Sequence, residues 1–236
     1  MARNPAHSAD QGAAAPTMAS SLYDRMRADL LAGRLLAPGR KLQIEFLSHH
    51  YGAGQTPVRE ALNRLTADGL VEQRDQRGFA VASVSPADLI EITNTRCWLE
   101  ELALRKSMAS GSAQWEEELV LAFHRLSKTP RSLHPDRFEA NPEWEQRHRA
   151  FHRAVIGGCG SRWLIGFCEQ LADQLYRYRQ LSVQKIFPDR PIQEEHQALM
   201  DAITAGNADL AVTLLTRHYQ ETARIVLEDP EAFARG

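Results

Sequence analysis

Apolar residues recur at three- and four-residue spacing from Pro86 almost to the end of the chain, and no strand pattern interrupts them. This long helical pattern constrains the fold more than any other feature, because it predicts an all-α bundle. The predicted bundle covers 86–227, and residues 228–236 form a tail. Its helices are predicted at about 86–109, 113–127, 142–157, 161–186, 190–205 and 207–227.

Residues 21–84 have a different pattern, which begins with three short helices. The first helix starts near Leu22, and the second is predicted over 42–51. Thr56 is a good N-cap and Pro57 suits the first helical position, so the third helix is predicted to begin there.

Two short strands, over 70–74 and 79–82, are predicted after the third helix, on either side of a polar turn that contains glycine. Three helices and a hairpin are typical of a winged helix-turn-helix. The chain is therefore predicted to be mainly α, with an N-terminal winged helix-turn-helix followed by an all-α bundle. Residues 1–20 have no periodicity and are predicted to be a disordered arm.

Composition narrows the class of protein further. Three cysteines without a Cys-x-x-Cys pair argue against a disulfide scaffold, and no apolar run is long enough to span a membrane. With no signal-peptide pattern at the start, we expect a cytoplasmic protein. The net charge is −2, but its basic residues are 24 arginines and only 4 lysines, and residues 21–85 hold nine basic against seven acidic side chains. Where the arginines lie therefore matters more than the total charge.

The winged helix-turn-helix predicts binding to double-stranded DNA, with the N-terminal end of the third helix in the major groove. Arginine suits a guanine edge or a phosphate, and asparagine can reach an adenine. The alternative from the residues alone is a module that binds another protein. The predicted DNA-contacting residues are Gln55, Thr56, Arg59 and Asn63 on the third helix, and Arg74, Arg77 and Gly78 on the hairpin.

The third helix resembles the recognition-helix signature of the GntR family of bacterial transcription regulators. This resemblance implies a homodimer that binds a palindromic operator. The sequence departs from the family at Gly54-Gln55, where Ser-Arg is usual, so one phosphate-contacting arginine is missing. The resemblance rests on these residues: Leu36 to Gly39, Thr56-Pro57-Val58-Arg59-Glu60-Ala61-Leu62, Arg64-Leu65 and Asp68 to Val71.

Four histidines lie on apolar faces of the predicted bundle helices. His148 and His152 are four residues apart and share one face, while His196 and His218 lie on apolar stripes of later helices. A single histidine in such a place is usually a hydrogen-bonded core residue. Four together are costly to bury unless a metal organises them, so a metal site is the competing prediction.

Residues 86–227 resemble the FadR-type C-terminal ligand-binding domain (FCD) of GntR regulators. Its metal-binding members carry Asp-x-x-x-His on one helix and two later histidines, which correspond here to His152, His196 and His218. His148 occupies the usual aspartate position. The resemblance implies a divalent transition metal such as Zn or Ni, and a pocket that Arg96 faces as an effector-binding residue.

Within this class the bundle looks most like the carbon-starvation-induced regulator (CsiR) group, which has a histidine at the position of His148. That resemblance implies a small carboxylate effector, such as the short dicarboxylate glutarate. The matching residues are Trp115-Glu116, Leu126-Ser127-Lys128, Trp144, Arg147-His148, Ala150-Phe151-His152 and Gly158-Cys159-Gly160-Ser161.

Three alternatives compete with this interpretation. Arg96 is four residues before Glu100 and forms an i,i+4 ion pair in the simplest reading. The histidines could hold a metal that only stabilises the bundle. A metal-dependent hydrolase is disfavoured, because the segment from His148 to His152 lacks the glutamate of His-Glu-x-x-His and no other catalytic motif is present. We therefore predict that the protein is a DNA-binding transcriptional regulator that acts as a repressor, and that it is not an enzyme.

Overall fold

The computed structural model describes residues 18–186, 190–229 and 231–233. Within those residues, three helices and a small sheet, which we call the head, precede six helices, which we call the bundle. The head contains α1 (Met18–Leu31), β1 (Lys41–Leu42), α2 (Ile44–Tyr51), α3 (Gln55–Ala67), β2 (Val71–Arg74) and β3 (Gly78–Val81). The bundle contains α4 (Pro86–Ser110), α5 (Ala113–Ser127), α6 (Pro142–Val155), a 3₁₀ helix (Gly157–Cys159), α7 (Arg162–Ile186), α8 (Ile192–Thr204) and α9 (Ala208–Leu227).

The sheet of the head has three antiparallel strands in the order β1-β3-β2, so the wing is larger than the predicted hairpin. Leu42, predicted as the first residue of the second helix, instead belongs to β1, where Lys41 and Leu42 pair with Ala80 and Phe79 of β3. This prediction was wrong because Leu42 is buried in the head core from the strand, where its backbone completes the ladder.

The N-cap of the third helix lies two residues before the predicted N-cap, Thr56. Gly54 is the N-cap residue, with extended backbone (φ −67°, ψ 162°), and Thr56 lies inside the first turn. Pro57 is tolerated there because the first backbone N–H groups of a helix have no intrahelical acceptor. Gly52 ends α2 in the left-handed region (φ 64°), a backbone conformation that favours glycine, so the α2 side of the tight turn depends on this residue.

The bundle helices begin and end within two residues of their predicted positions. Side-chain caps fix several of these starts: Ser85 accepts from the Asp88 backbone N–H, and Asn141 accepts from those of Glu143 and Trp144. The main bundle core lies among α4, α5, α6, α8 and α9, and a second cluster lies between α4, α7 and α9.

The predicted N-terminal arm lies mostly outside the described residues, since residues 1–17 are not among them. Met18, Ala19 and Ser20, predicted as part of that arm, belong to α1. Of the predicted tail, residues 230 and 234–236 are likewise outside the described part. None of the helices in the described ranges is long and apolar enough to cross a bilayer.

Candidate functional site

The predicted DNA-contacting residues of α3 are all exposed. Val58, Ala61, Leu62 and Leu65 bury one side of the helix in the head core. The opposite side and the N-terminal end present the exposed side chains of Gln55, Thr56, Arg59 and Asn63. The N-terminal end of α3, which the sequence predicted to enter the major groove of DNA, therefore presents polar side chains to solvent.

The predicted wing residues lie at and beside the β2–β3 turn. Arg74, Arg77 and Gly78 are exposed, and Arg74 forms an ion pair with Glu72 at 3.1 Å. Gly78 has φ 82°, a conformation that favours glycine and sets the direction in which β3 leaves the turn. The two arginines therefore extend from a turn whose shape is fixed by the backbone.

The four predicted histidines come together inside the bundle. α6 supplies His148 and His152, α8 supplies His196 and α9 supplies His218, and all four are buried. One ring nitrogen from each lies within 4.8 Å of one from every other. The i,i+4 spacing on α6 places two rings on one face, and their Nε2 atoms are 3.1 Å apart.

Two of these rings are oriented by hydrogen bonds from Nδ1. The His152 Nδ1 atom lies 2.9 Å from the Tyr219 hydroxyl, which itself donates to Glu100 at 2.5 Å, so the ring N–H donates to the hydroxyl oxygen. The His218 Nδ1 atom lies 2.7 Å from a carboxylate oxygen of Glu195. Both rings therefore carry the proton on Nδ1, and their unprotonated Nε2 atoms are the ones that can bind a metal.

His196 has no hydrogen-bond partner at either ring nitrogen among the described residues, although both atoms are fully buried. A buried imidazole without a partner is costly, by roughly 1–3 kcal/mol per unsatisfied group. A metal bound to one nitrogen would satisfy that atom. The donor set of neutral imidazoles suits Zn²⁺ and similar ions, so the residues fit the metal that the sequence predicted.

The rings are held neutral, as metal ligands must be. Burial, together with the charge of neighbouring histidines and Arg179, lowers the pKa of His148 well below its usual value. Burial, with the repulsion of nearby arginines, lowers the pKa of His196 to about 3. His152 and His218 have strongly lowered pKa values for the same reasons.

A cavity of about 260 Å³ opens beside the histidines and is lined by His148, His152 and His218. Its lining also includes more arginines than glutamates, with four against three. A surplus of guanidinium groups next to a bound dication would favour an anion. The charged lining residues are Arg96, Arg149, Arg153, Arg179, Glu100, Glu145 and Glu169.

Arg96 is positioned both for the ion pair that the sequence predicted and at the wall of the cavity. It forms the i,i+4 ion pair with Glu100, with Nε 2.6 Å from the carboxylate, and it also lines the cavity. Its guanidinium carbon lies 3.8 Å from the centre of the Tyr219 ring. The ion pair and the aromatic ring hold the guanidinium in place at the cavity wall.

Sequence reasoning missed the residues that support the histidines. Glu195 and Tyr219 each adjoin a histidine in sequence, yet each contacts a histidine of another helix. Arg190 was also missed: it pairs with Glu195 at 2.7 Å and donates to the backbone carbonyl of His218 at 2.8 Å. The only signal available in the sequence was that Glu195 and Tyr219 each stand next to a histidine that lies on an otherwise apolar helix face.

Comparison with known proteins identifies the family. Residues 91–221 match the FCD domain family, and residues 18–81 match the bacterial regulatory proteins of the gntR family. The FCD match alone covers more than half of the chain. This chain belongs to the GntR family. The prediction of a FadR-like GntR regulator is thereby confirmed, whereas membership of the carbon-starvation-induced group stays a prediction.

Relatives across nearly the whole chain agree with this assignment. The chain is 38% identical to the uncharacterized HTH-type transcriptional regulator BphR of Paraburkholderia xenovorans, with 89% of this chain and 85% of BphR covered. It is 32% identical to the HTH-type transcriptional repressor GlaR of Escherichia coli, with 83% and 90% covered. The solved structure of E. coli McbR/YncC has the same fold, with a TM-score of 0.70, 22% identity and 89% and 97% covered.

These matches make this GntR protein a DNA-binding transcriptional regulator and not an enzyme. The predicted fold class, a winged helix-turn-helix followed by an all-helical FCD domain, is also confirmed. Regulators of this family bind DNA operators and usually act as dimers.

Proposed function

We propose that this GntR regulator is a homodimeric repressor that acts in the bacterial cytoplasm and responds to a small carboxylate bound in the bundle. The observation that supports this most is the shared cavity: three of the four clustered histidines line it together with four arginines. A metal and several guanidinium groups facing one space form a receptor for an anion with more than one carboxylate.

In this proposal His152, His196 and His218 hold the metal, with His148 available as a fourth ligand. A bound divalent ion such as Zn²⁺ supplies positive charge and a coordination position for a carboxylate oxygen. The protein fixes the rings through Tyr219 and Glu195 and keeps them neutral by burial.

Arg96 is proposed to bind a carboxylate of the effector by parallel hydrogen bonds, since the guanidinium is held at the cavity wall. The size of the cavity, about 260 Å³, suits a short diacid such as glutarate better than a large ligand. The effector class is therefore a short dicarboxylate.

The DNA-binding part of the proposal assigns base contacts to the N-terminal end of α3 and backbone contacts to the wing. Arg59 and Asn63 are exposed on α3, and Arg74 and Arg77 are exposed at the wing. In a dimer, two such heads would meet the half-sites of a palindromic operator.

The second copy is proposed to dock on α4 and α7. These two helices pack on each other and expose Trp98 (68%), Leu102 (48%), Trp163 (68%) and Phe167 (53%). Four large apolar side chains on adjacent helices are unusual for the free surface of a monomer. A symmetric dimer would remove them from water.

The effector is tested by operator binding with and without diacids. A fluorescent DNA duplex, selected from a random library with the zinc-loaded protein, is titrated at fixed salt in the presence of succinate, glutarate or adipate. We expect glutarate to weaken binding by about fivefold or more, the usual scale of allosteric coupling. An unchanged affinity with every diacid would contradict the effector role and leave DNA binding intact.

A purely structural metal is the competing function, since the four histidines join α6, α8 and α9. His152→Ala and Arg96→Ala separate the two possibilities by melting temperature and diacid response. If the site senses effector, Arg96→Ala weakens the diacid response. If only His152→Ala lowers the melting temperature and both variants keep the full response, the metal is structural.

A further inference from the structure

α7 contacts the cavity with one side and the head with another. The residues of α7 that face the head lie between those that face the cavity, so the same two turns of helix serve both. The cavity-lining residues of these turns are Ala172, Leu175, Tyr176 and Arg179. The residues that contact the head are Asp173, Gln174, Tyr176 and Arg177.

The contacts to the head are polar and specific. Gln174 donates from Nε2 to the backbone carbonyl of Asp68, just after α3, at 2.8 Å. Arg177 donates to the backbone carbonyl of Ala82, just after β3. The head is therefore attached to α7 at both the recognition helix and the wing.

Asp173 forms one ion pair with the head and another with the wall of the cavity. Asp173 is nearly buried (7% exposed), and its carboxylate pairs with Arg27 of α1 through one oxygen and with Arg149 of α6 through the other. Arg149 also lines the cavity. One carboxylate thus holds two guanidinium groups that repel each other, one from the head and one from the cavity wall.

Tyr176 connects the same two regions by packing. Its side chain lines the cavity and also packs against the core of the head. The guanidinium carbons of Arg149 and Arg179 lie 6.0 Å and 5.0 Å from the centre of its ring. A ligand that moves either arginine therefore acts next to a ring that packs against the head core.

We propose that Arg149 contacts the carboxylate effector and that Asp173 transmits effector binding from the cavity to the head. Tyr176, which lies beside Arg149 and packs against the head core, supports this connection by packing. This inference rests on the proposed function, because it takes the cavity to bind a dicarboxylate. When an effector carboxylate pairs with Arg149, Asp173 is left to Arg27 without a competing cation. The head is then held more firmly against α7 and is less free to reach the spacing of the operator half-sites.

The central experiment uses Asp173→Asn in the full-length, zinc-loaded protein. Glutarate binding is measured by calorimetry, and operator affinity is measured by anisotropy with and without saturating glutarate. We expect glutarate affinity within about twofold of wild type but an operator response reduced from about fivefold or more to near none. Arg27→Gln is expected to behave in the same way, and Arg27→Lys, which keeps the charge, to restore part of the response.

Arg147→Gln is the matched control, because Arg147 also belongs to α6 but pairs with Glu143 at 3.5 Å and is not one of the cavity-lining residues. It should keep the coupling between bound glutarate and operator release. A full response in Asp173→Asn would overturn the inference and leave the proposed function standing. A loss of glutarate binding in Asp173→Asn would also overturn it, since the carboxylate would then shape the cavity itself.

Failure of wild-type protein to bind glutarate would count against the proposed effector, and a ligand-free measurement then decides the inference. Arg149→Gln removes the second guanidinium from Asp173, as effector binding is proposed to do. Hydrogen exchange in peptides covering α1 should be slower in Arg149→Gln than in Arg147→Gln. Equal exchange in the two variants would overturn the inference.

Discussion

The Nδ1 atom of His148 lies 3.3 Å from Nη1 of Arg179, and the carboxylate oxygen of Glu145 is farther away, at 4.0 Å. Nδ1 of His218 also has a guanidinium nitrogen at 3.3 Å, from Arg190, but an oxygen of Glu195 lies nearer, at 2.7 Å, and accepts its proton. A guanidinium only donates, so Nδ1 of His148 accepts and the neutral ring carries its proton on Nε2. A neutral ring that binds a metal through Nε2 needs its proton on Nδ1, where it would meet the arginine N–H. Coordination by His148 therefore requires Arg179 to move, which is not required at His152 or His218.

We expect the four histidines to contribute unequally to metal binding for this reason. His148→Ala should weaken Zn²⁺ binding by about tenfold, within the range usual for supporting groups, whereas His218→Ala should weaken it by more than about 100-fold. Competition with a chromophoric chelator measures both. His124→Ala, at an exposed histidine of α5, serves as the control and should bind Zn²⁺ like wild type. Equal losses in His148→Ala and His218→Ala would contradict the assignment of proton positions.

The 3₁₀ helix after α6 packs its backbone against the indole ring of Trp115. A Cβ atom at Gly158 would lie 2.8 Å from Cγ of Trp115, whereas one at Gly157 would lie 3.8 Å from the same ring. Trp115 is itself fixed, because its indole N–H donates to the carbonyl of Ala154 at 2.7 Å. The ring therefore cannot shift without losing that hydrogen bond.

Gly158→Ala should lower the free energy of unfolding by about 1–3 kcal/mol, the usual cost of overpacking, and Gly157→Ala by clearly less. Urea denaturation followed by circular dichroism measures both variants. Because the two substitutions add the same methyl group to neighbouring residues, their difference isolates the contact with Trp115. A loss in Gly157→Ala as large as that in Gly158→Ala would show that backbone freedom, not the ring, matters there.

The elements also show which parts of the structure the sequence could predict. Long amphipathic helices have many apolar positions in register, so the bounds of α4 to α9 were predicted closely. β1 has only two residues, too few for any periodicity, and it forms because β3 offers a ladder to Leu42. Local cap preference at Thr56 was overridden by the glycine turn before α3.

For the candidate site, the sequence predicted the histidines but not the side chains that support them. The histidines stand on apolar faces within single helices, so the sequence revealed them. Their supporting partners did not follow from the sequence, because Glu195 reaches His218 and Tyr219 reaches His152 across helix contacts. Such pairs depend on how the helices pack, which periodicity does not determine.

At the scale of the whole molecule, weak charge in the head makes dimerisation important for DNA binding. Residues 21–85 hold nine basic and seven acidic side chains, and some of these arginines are already engaged, Arg27 with Asp173 and Arg74 with Glu72. Few counterions are released by such a surface, so one head alone should bind weakly. Two heads on one palindrome gain from the high effective concentration of the second head once the first is bound.

Disrupting the proposed dimer face should therefore weaken operator binding without touching the head. Trp98→Lys and Phe167→Lys each place a charge where the second copy is proposed to dock, so we expect monomers in light scattering and operator affinity reduced by at least about 100-fold. Leu133→Lys is the control, because Leu133 has similar exposure (54%) but lies in the loop between α5 and α6. It should stay dimeric and bind normally. Should Trp98→Lys and Phe167→Lys remain dimers with full affinity, the second copy docks elsewhere, and the exposed residues of α4 and α7 need another occupant.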